Sequence, residues 1–206
     1  MVHVSYTYII IYIVCCFLIT NTYRILGNKK SVGQTPLYLI GFFFGLVNGG
    51  TRFIWGYLMD KFNFKVLMII ISIIELIVSG SIYFFADNPV IFVIENLLVA
   101  CCLSGTFTTI TPLFQKIFKN LGTEMYGLTG FFIGLASFTG PILTKLVIKD
   151  ESDYLIIYLV GGGFVLVKFI SLFFFDENKE FEYKKIKFDP DQDITRIVTD
   201  RTTANE

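Results

Sequence analysis

A polar stripe runs through an otherwise apolar stretch of the sequence, NGGTRFIWGYLMDKFNFK. Asn48, Arg52 and Gly56 follow one another at intervals of four residues. Residues at this spacing lie on one face of an α-helix. A guanidinium group can hold a carboxylate with two parallel hydrogen bonds. The stripe therefore indicates two alternatives for Arg52: it binds an anionic ligand, or it forms a structural ion pair with a carboxylate such as Glu75 or Glu95.

The same stretch ends in charged residues. Asp60 and Lys61 follow Gly56 after four and five residues, and Lys65 closes the segment. Taken alone, this pattern is typical of a polar turn in which an acid ends one helix and two lysines flank the next. It also matches a longer signature, described below.

The composition of the chain is that of a membrane protein. Hydrophobic residues make up 54% of the 206 residues and charged residues 17%, against about 25% charged residues in an ordinary soluble domain. A helix needs roughly 17–25 mostly apolar residues to cross the hydrocarbon core. Six stretches have that length, near Ser5–Ile25, Pro36–Met59, Phe64–Phe85, Val90–Phe114, Tyr126–Ile148 and Tyr154–Phe175. We predict an all-α integral membrane protein in which residues 1–175 form a six-helix transmembrane domain.

The remaining residues, 176–206, are rich in charges of both signs. Few of them are apolar, so the sequence predicts a polar, disordered tail. Lysines also concentrate in the connections between the second and third and between the fourth and fifth predicted spans, at Lys61, Lys65, Lys116 and Lys119. By the positive-inside rule, both termini are predicted to lie in the cytosol.

Arg52 is predicted to lie deep in the membrane. If Asp60 marks the end of the second span, Arg52 is about 12 Å inside it at 1.5 Å per residue, where the core has a half-thickness of about 15 Å. An arginine facing lipid there costs at least a few kcal/mol, so we expect Arg52 to face other helices or a water-filled cavity. Gly41 and Gly45, with Gly49 one turn further, predict close approach by another helix.

Two further polar groups fall inside predicted spans. Glu75 is a candidate for proton coupling, or for an ion pair with Arg52 or Lys168. Thr108 belongs to a group of threonines in the fourth predicted helix. Their hydroxyl groups either line a polar path close to Arg52 or hydrogen-bond back to their own helix.

No catalytic constellation is recognisable in the sequence. The single histidine is His3, beside the first residue. A histidine metal cluster and a Ser-His-Asp arrangement are therefore not expected. The formal net charge is zero, which gives no reason to expect a nucleic-acid partner. The sequence predicts no enzyme, no metal site and no cofactor.

The segment GYLMDKFNFK resembles the loop signature of the major facilitator superfamily, Gly-x-x-x-Asp-(Arg/Lys)-x-Gly-x-(Arg/Lys). The resemblance implies that Gly56, Asp60, Lys61 and Lys65 form a cytosolic charge relay that biases the conformational equilibrium. Asn63 stands at the second glycine of the signature. Because asparagine tolerates a positive φ better than other non-glycine residues, we expect it to preserve a tight turn.

The pattern NGxxRxxWG, from Asn48 to Gly56, is similar to the eighth helix of the oxalate/formate antiporters and monocarboxylate transporters within this superfamily. The resemblance implies that Arg52 binds the carboxylate of the substrate. The stretches SGTFTTITPLFQKIF and YGLTGFFIGLASFTGPIL look like the fourth and fifth helices of a C-terminal six-helix half. Near Ile133 the chain has no basic residue at the place of the second cation of oxalate transporters, so a monocarboxylate is expected rather than a dicarboxylate.

These resemblances imply a secondary active transporter, or half of one, that moves a small organic anion by alternating access. Asn48, Arg52 and Thr108 are its expected substrate-binding residues. A proton is a candidate for the co-transported ion. The lipid bilayer surrounds the protein. A second six-helix half is needed, either missing from a truncated chain, carried by another polypeptide or supplied by a second copy. The alternative is a non-transporting membrane scaffold or interaction protein that retains the same fold.

Overall fold

A computed structural model describes residues 19–117, 122–147 and 152–174. Each element within these ranges is a helix, and the prediction of an all-α fold is confirmed. The first helix, α1, is described over residues 19–29. The others are α2 (Gln34–Met59), α3 (Phe64–Phe85), α4 (Pro89–Ile117), α5 (Gly122–Val147) and α6 (Ser152–Phe174). Most of the first predicted span and the whole predicted tail, 176–206, lie outside the described residues.

Four of the described helices are long and apolar enough to cross a membrane. They are Gln34–Met59, Phe64–Phe85, Pro89–Lys116 and Tyr154–Phe174. Helix α5 occupies the place of the fifth predicted span. The lengths and compositions of these helices fit several membrane crossings, whereas the number six stays a prediction.

The connections are short and have local signals for helix ends. Asn88 precedes α4, and its side-chain Oδ1 accepts hydrogen bonds from the backbone N–H groups of Val90 at 3.0 Å and Ile91 at 3.3 Å. This is the usual role of an asparagine N-cap, and Pro89 at the first helical position needs no hydrogen-bond acceptor. We call the end of the bundle that carries this connection the Asp87 end, and the opposite end, with the α2–α3 connection, the Asp60 end.

Helix α4 lies at the centre of the bundle. It packs against α2, α3 and α5, and α3 packs in turn against α6. Helices α2 and α4 run parallel, because Leu37 and Phe92 are both close to Gly27, and further along the same two helices Trp55 is close to Gly105. The depth of a residue on α2, measured along the helix axis, can therefore be compared directly with the depth of a residue on α4.

Helices α2 and α4 are in close contact at Gly105. A methyl group placed on Gly105 would lie 2.6 Å from the indole ring of Trp55. By contrast, Gly45 and Gly49 have no described atom within 4 Å of such a methyl group. At Gly41 such a methyl group would lie 3.5 Å from the Tyr23 hydroxyl of α1. The expected close packing is therefore absent at Gly45 and Gly49 within the described residues, because α2 turns its Trp55 side toward α4.

Helix α2 is also the least covered of the four candidate spans. Only 11% of its most apolar segment is buried, against 44–56% in the other three. Its uncovered side carries large apolar residues, among them Phe42, Leu46 and Phe53. The bundle described here thus leaves one whole helix face unpacked.

Candidate functional site

Trp55 fixes α2 against α4 next to the predicted binding stripe. Its indole Nε1 donates a hydrogen bond to the backbone carbonyl of Cys101 at 3.0 Å, and the side chain is buried. Pairing the indole N–H in this way removes the cost of burying it. The contact gives a fixed reference for the residues that precede Trp55 on α2.

Arg52 lies at the edge of this contact. It is three residues before Trp55, which places it about 60° around the helix axis, and its side chain is exposed. Within the described ranges Arg52 has no salt bridge, so neither proposed ion pair, with Glu75 or with Glu95, is present. Glu75 contacts Lys168 on α6, and Glu95 contacts Ser81 on α3. Arg52, by contrast, is on the open side of α2.

Glu75 is paired with Lys168. The Lys168 Nζ donates to Glu75 Oε2 at 2.8 Å, and the two side chains are 3% and 2% exposed. The pair joins α3 to α6. Of the three roles considered for Glu75, the ion pair with Lys168 is the one present in this structure.

Asn48 and Ser104 each carry a buried polar atom without a hydrogen-bond partner among the described residues. The atoms are Asn48 Oδ1 on α2 and Ser104 Oγ on α4. Buried polar atoms are usually paired, so such atoms are candidates for contact with a ligand or water. Asn48 was predicted as a binding residue, and Ser104 was not. No pattern in the sequence marks Ser104 as a binding residue; it directly precedes Gly105, the glycine in contact with Trp55.

Thr108 does not lie beside Arg52. Arg52 precedes Trp55 by three residues and Thr108 follows Gly105 by three, so on parallel helices they are about 9 Å apart along the axis. The Thr108 hydroxyl donates to the backbone carbonyl of Ser104 at 2.9 Å. The structure therefore brings Asn48 and Arg52 onto one side of α2 and leaves Thr108 at a different depth.

The residues of the loop signature are spread around the Asp60 end. The Lys61 Nζ lies 4.5 Å from the centre of the Tyr57 ring, which is a cation–π contact. The Lys65 Nζ donates to the Phe173 carbonyl at 3.2 Å, where α6 ends and a cation is favourable. Asp60 is exposed and follows the last residue of α2. Among the residues that the structure describes, no salt bridge links these three side chains.

The connection from α2 to α3 is a short turn, as expected, but Asn63 does not have a positive φ. Its φ is −66° and its ψ 148°, an extended conformation, and not the left-handed one. Asn63 instead directly precedes α3, and its carbonyl accepts hydrogen bonds from Val66 at 3.1 Å and Leu67 at 3.3 Å. An N-cap residue takes extended backbone angles, so the signature glycine is replaced here without a positive φ. Gly56 has open space around it, with no described atom within 4 Å of an added methyl group.

The family profile described as Major Facilitator Superfamily matches residues 5–201 of the chain. The chain belongs to the Major Facilitator Superfamily. A search of curated proteins found no match, and a search of solved structures found none either.

Membership of the Major Facilitator Superfamily identifies the chain as a multi-pass integral membrane protein of a transporter family. The superfamily consists of transporters and not of enzymes, which supports the expectation that the chain is not an enzyme. The described residues contain no group of three or more potential metal ligands.

Proposed function

We propose that this member of the superfamily moves a small organic anion, such as a monocarboxylate, by alternating access, and that Arg52 binds the carboxylate. The observation that carries the proposal is the exposed guanidinium group inside an apolar helix. Arg52 has no carboxylate partner among the described residues. An arginine at membrane depth is costly unless it meets water, a carboxylate or another polar group, and an anionic substrate supplies that group.

Asn48 is the neighbouring binding residue in this proposal. It lies one turn before Arg52, and helical side chains lean toward the N-terminus, so the guanidinium group extends toward the Asn48 turn. The buried Oδ1 of Asn48 lacks a donor. The hydroxyl group of a 2-hydroxy acid such as lactate would supply that donor while its carboxylate binds Arg52. Thr108 is not a neighbour of this pair, because it lies about 9 Å nearer the Asp60 end and its hydroxyl donates to the Ser104 carbonyl.

The open face of α2 supports a second six-helix half on that side. Alternating access needs a closed path between two halves, and Gly45 and Gly49 leave room for close approach of a helix. In the proposal this face meets another half or a second copy of the chain. Asp60, Lys61 and Lys65 then act as the conformational relay at the cytosolic side, with both termini also cytosolic.

Replacing Arg52 with alanine should strongly weaken saturable uptake of the anion. Hydrogen bonds to charged groups contribute about 1.5–3 kcal/mol, so we expect the apparent KM to rise roughly tenfold or more. The measurement is uptake of radiolabelled lactate, formate and oxalate into liposomes that contain the purified chain. Arg24→Ala is the matched control, because Arg24 is also exposed but lies over the Tyr38 ring at 5.8 Å.

Equal uptake by wild type and Arg52→Ala would rule out this binding role. Arg52→Lys keeps the charge and loses the paired hydrogen bonds, so an intermediate KM is expected. No uptake by folded wild-type chain, together with a single copy in native mass spectrometry, would favour the scaffold function or a missing half.

A further inference from the structure

A cleft opens at the Asp60 end, between the α2–α3 connection and the last turns of α4. It has a volume of about 200 Å³, and its lining includes Phe62, Phe64, Leu113 and Lys116. Phe64 and Leu113 are buried and form its floor, whereas Phe62 and Lys116 are exposed at its rim. A cavity of about 150 Å³ accommodates benzene. The cleft therefore has room for one phenyl ring beside an ammonium group.

The segment that follows α6 starts close to this cleft. The Phe173 carbonyl, at the end of α6, accepts a hydrogen bond from the Lys65 Nζ at 3.2 Å. Leu172 belongs to the same buried cluster as Phe64 and Leu113, the floor of the cleft. The end of α6 is thus about one helix spacing from the cleft, roughly 10 Å. Seven extended residues span roughly 25 Å, so the chain beyond α6 can reach it.

One aromatic residue of this segment has neighbours that suit the cleft. Phe181 follows Phe174, the last residue of α6, by seven residues and is flanked by Glu180 and Glu182. The two carboxylates are complementary to the Lys116 ammonium group at the rim of the cleft. The ring of Phe181 and the charges beside it therefore match the two kinds of surface that the cleft offers.

The charges around the cleft also favour this segment. The connections and terminal turns described at the Asp60 end carry three lysines and two acids, namely Lys61, Lys65, Lys116, Asp60 and Glu124. Residues 176–182 carry four acids and one lysine, so the two surfaces attract each other. Phe188, the next phenylalanine, lies among Lys184, Lys185 and Lys187. Docking of Phe188 would place like charges beside Lys116.

We propose that residues 180–182 dock in this cleft, with the Phe181 ring on Phe64 and Leu113 and a glutamate carboxylate against Lys116. An exposed ion pair contributes little to stability, so the ring supplies most of the contact. Because the segment is tethered by a short linker, its effective concentration at the cleft is millimolar, and a weak contact is sufficient.

The docked ring would hold the α2–α3 connection against α4, because the walls of the cleft come from both. The loop signature lies in this connection. Docking should therefore slow any movement of the connection against α4, and with it the transport cycle. The effect on transport rests on the function proposed above, whereas the docking itself needs no substrate.

Carbodiimide cross-linking of the full chain in phosphatidylcholine nanodiscs tests the docking. The reagent joins a carboxylate to an amine when the two are in contact. Digestion and mass spectrometry should therefore find Lys116 linked to Glu180 or Glu182. Phe181→Ala should lose most of this link, and the matched variant Phe188→Ala should keep it. A wild type without the link, or an equal yield from Phe181→Ala, would overturn the proposal.

Two further measurements identify the occupant of the cleft. In a mixture of isotopically heavy and light chains, the link should join peptides of one chain, and links between heavy and light peptides would overturn docking within the chain. The amides of residues 59–65 should exchange hydrogen faster in Phe181→Ala than in Phe188→Ala. Protection that depends on added phosphatidylglycerol and not on Phe181 would assign the cleft to a lipid headgroup and overturn the proposal.

Liposome uptake of radiolabelled lactate tests the effect on transport. Phe181→Ala should raise the maximal rate and leave the KM unchanged, whereas Phe188→Ala should match the wild type. A maximal rate that Phe181→Ala does not raise would overturn the regulatory role. If the wild type and both variants move no lactate, the proposed function fails, whereas the cross-link still decides whether the segment docks.

Discussion

Exchanging Lys168 for methionine should destabilise the bundle by about 3–5 kcal/mol, because it leaves the buried Glu75 carboxyl group without its cation. The Nζ–Oε2 distance is 2.8 Å, and both side chains are almost completely enclosed. Methionine keeps most of the apolar length of lysine, so packing changes little. The measurement is the midpoint of unfolding in mixed micelles titrated with dodecyl sulfate, followed by circular dichroism.

Two comparisons separate charge from packing in this experiment. Lys116→Met removes an exposed lysine and should leave the midpoint unchanged. The double variant Lys168→Met/Glu75→Gln removes both charges and should recover much of the loss, since a neutral pair carries no buried charge. A Lys168→Met chain as stable as Lys116→Met would mean that the ion pair does not stabilise the contact of α3 with α6.

Replacing Gly105 with alanine should loosen α2 from α4. The added methyl group would lie 2.6 Å from the Trp55 indole and 2.8 Å from the end of Ile71. An indole is rigid and hydrogen-bonded here, so the helices have to separate. Overpacking of this kind costs roughly 1–3 kcal/mol. The expected result is a lower melting temperature together with faster hydrogen exchange of the α2 amides.

Gly80→Ala is the matched control, because no described atom lies within 4 Å of a methyl group at that position. It should leave stability equal or slightly higher, since alanine is favoured over glycine in a helix by roughly 1 kcal/mol. Adding Trp55→Phe to Gly105→Ala should restore part of the loss by making room. Identical melting of the two alanine variants would contradict the close contact at Gly105.

Hydropathy was sufficient to predict the helices and insufficient to predict their neighbours. Ile70, Ile71 and Ile73 are chemically identical and lie within one turn of α3, yet Ile71 is fully buried while the other two are 44% and 45% exposed. Lipid chains are as apolar as these side chains, so no polar face marks the outside of a membrane helix. A run of isoleucines predicts a span without indicating which of its sides faces protein.

Contacts between residues far apart in the chain were also not predictable from the sequence. Glu75 and Lys168 are 93 residues apart in the chain, and the sequence offered two partners for the acid. Their pairing depends on α3 packing against α6, which no local pattern indicates. The glycine repeat of α2 has a related limit, because four-residue spacing predicts that a helix can be approached closely but not which helix approaches it. Gly105, an isolated glycine, makes the closer contact.

The single tryptophan of the chain lies where α2 meets α4, with its indole N–H hydrogen-bonded to the Cys101 carbonyl. Indole fluorescence responds to polarity and to the loss of such a bond. The chain therefore contains an unlabelled optical reporter of the movement of α2 against α4. A ligand that binds at Arg52, three residues away, should change the emission of Trp55, so binding can be titrated in a cuvette without a radiolabel.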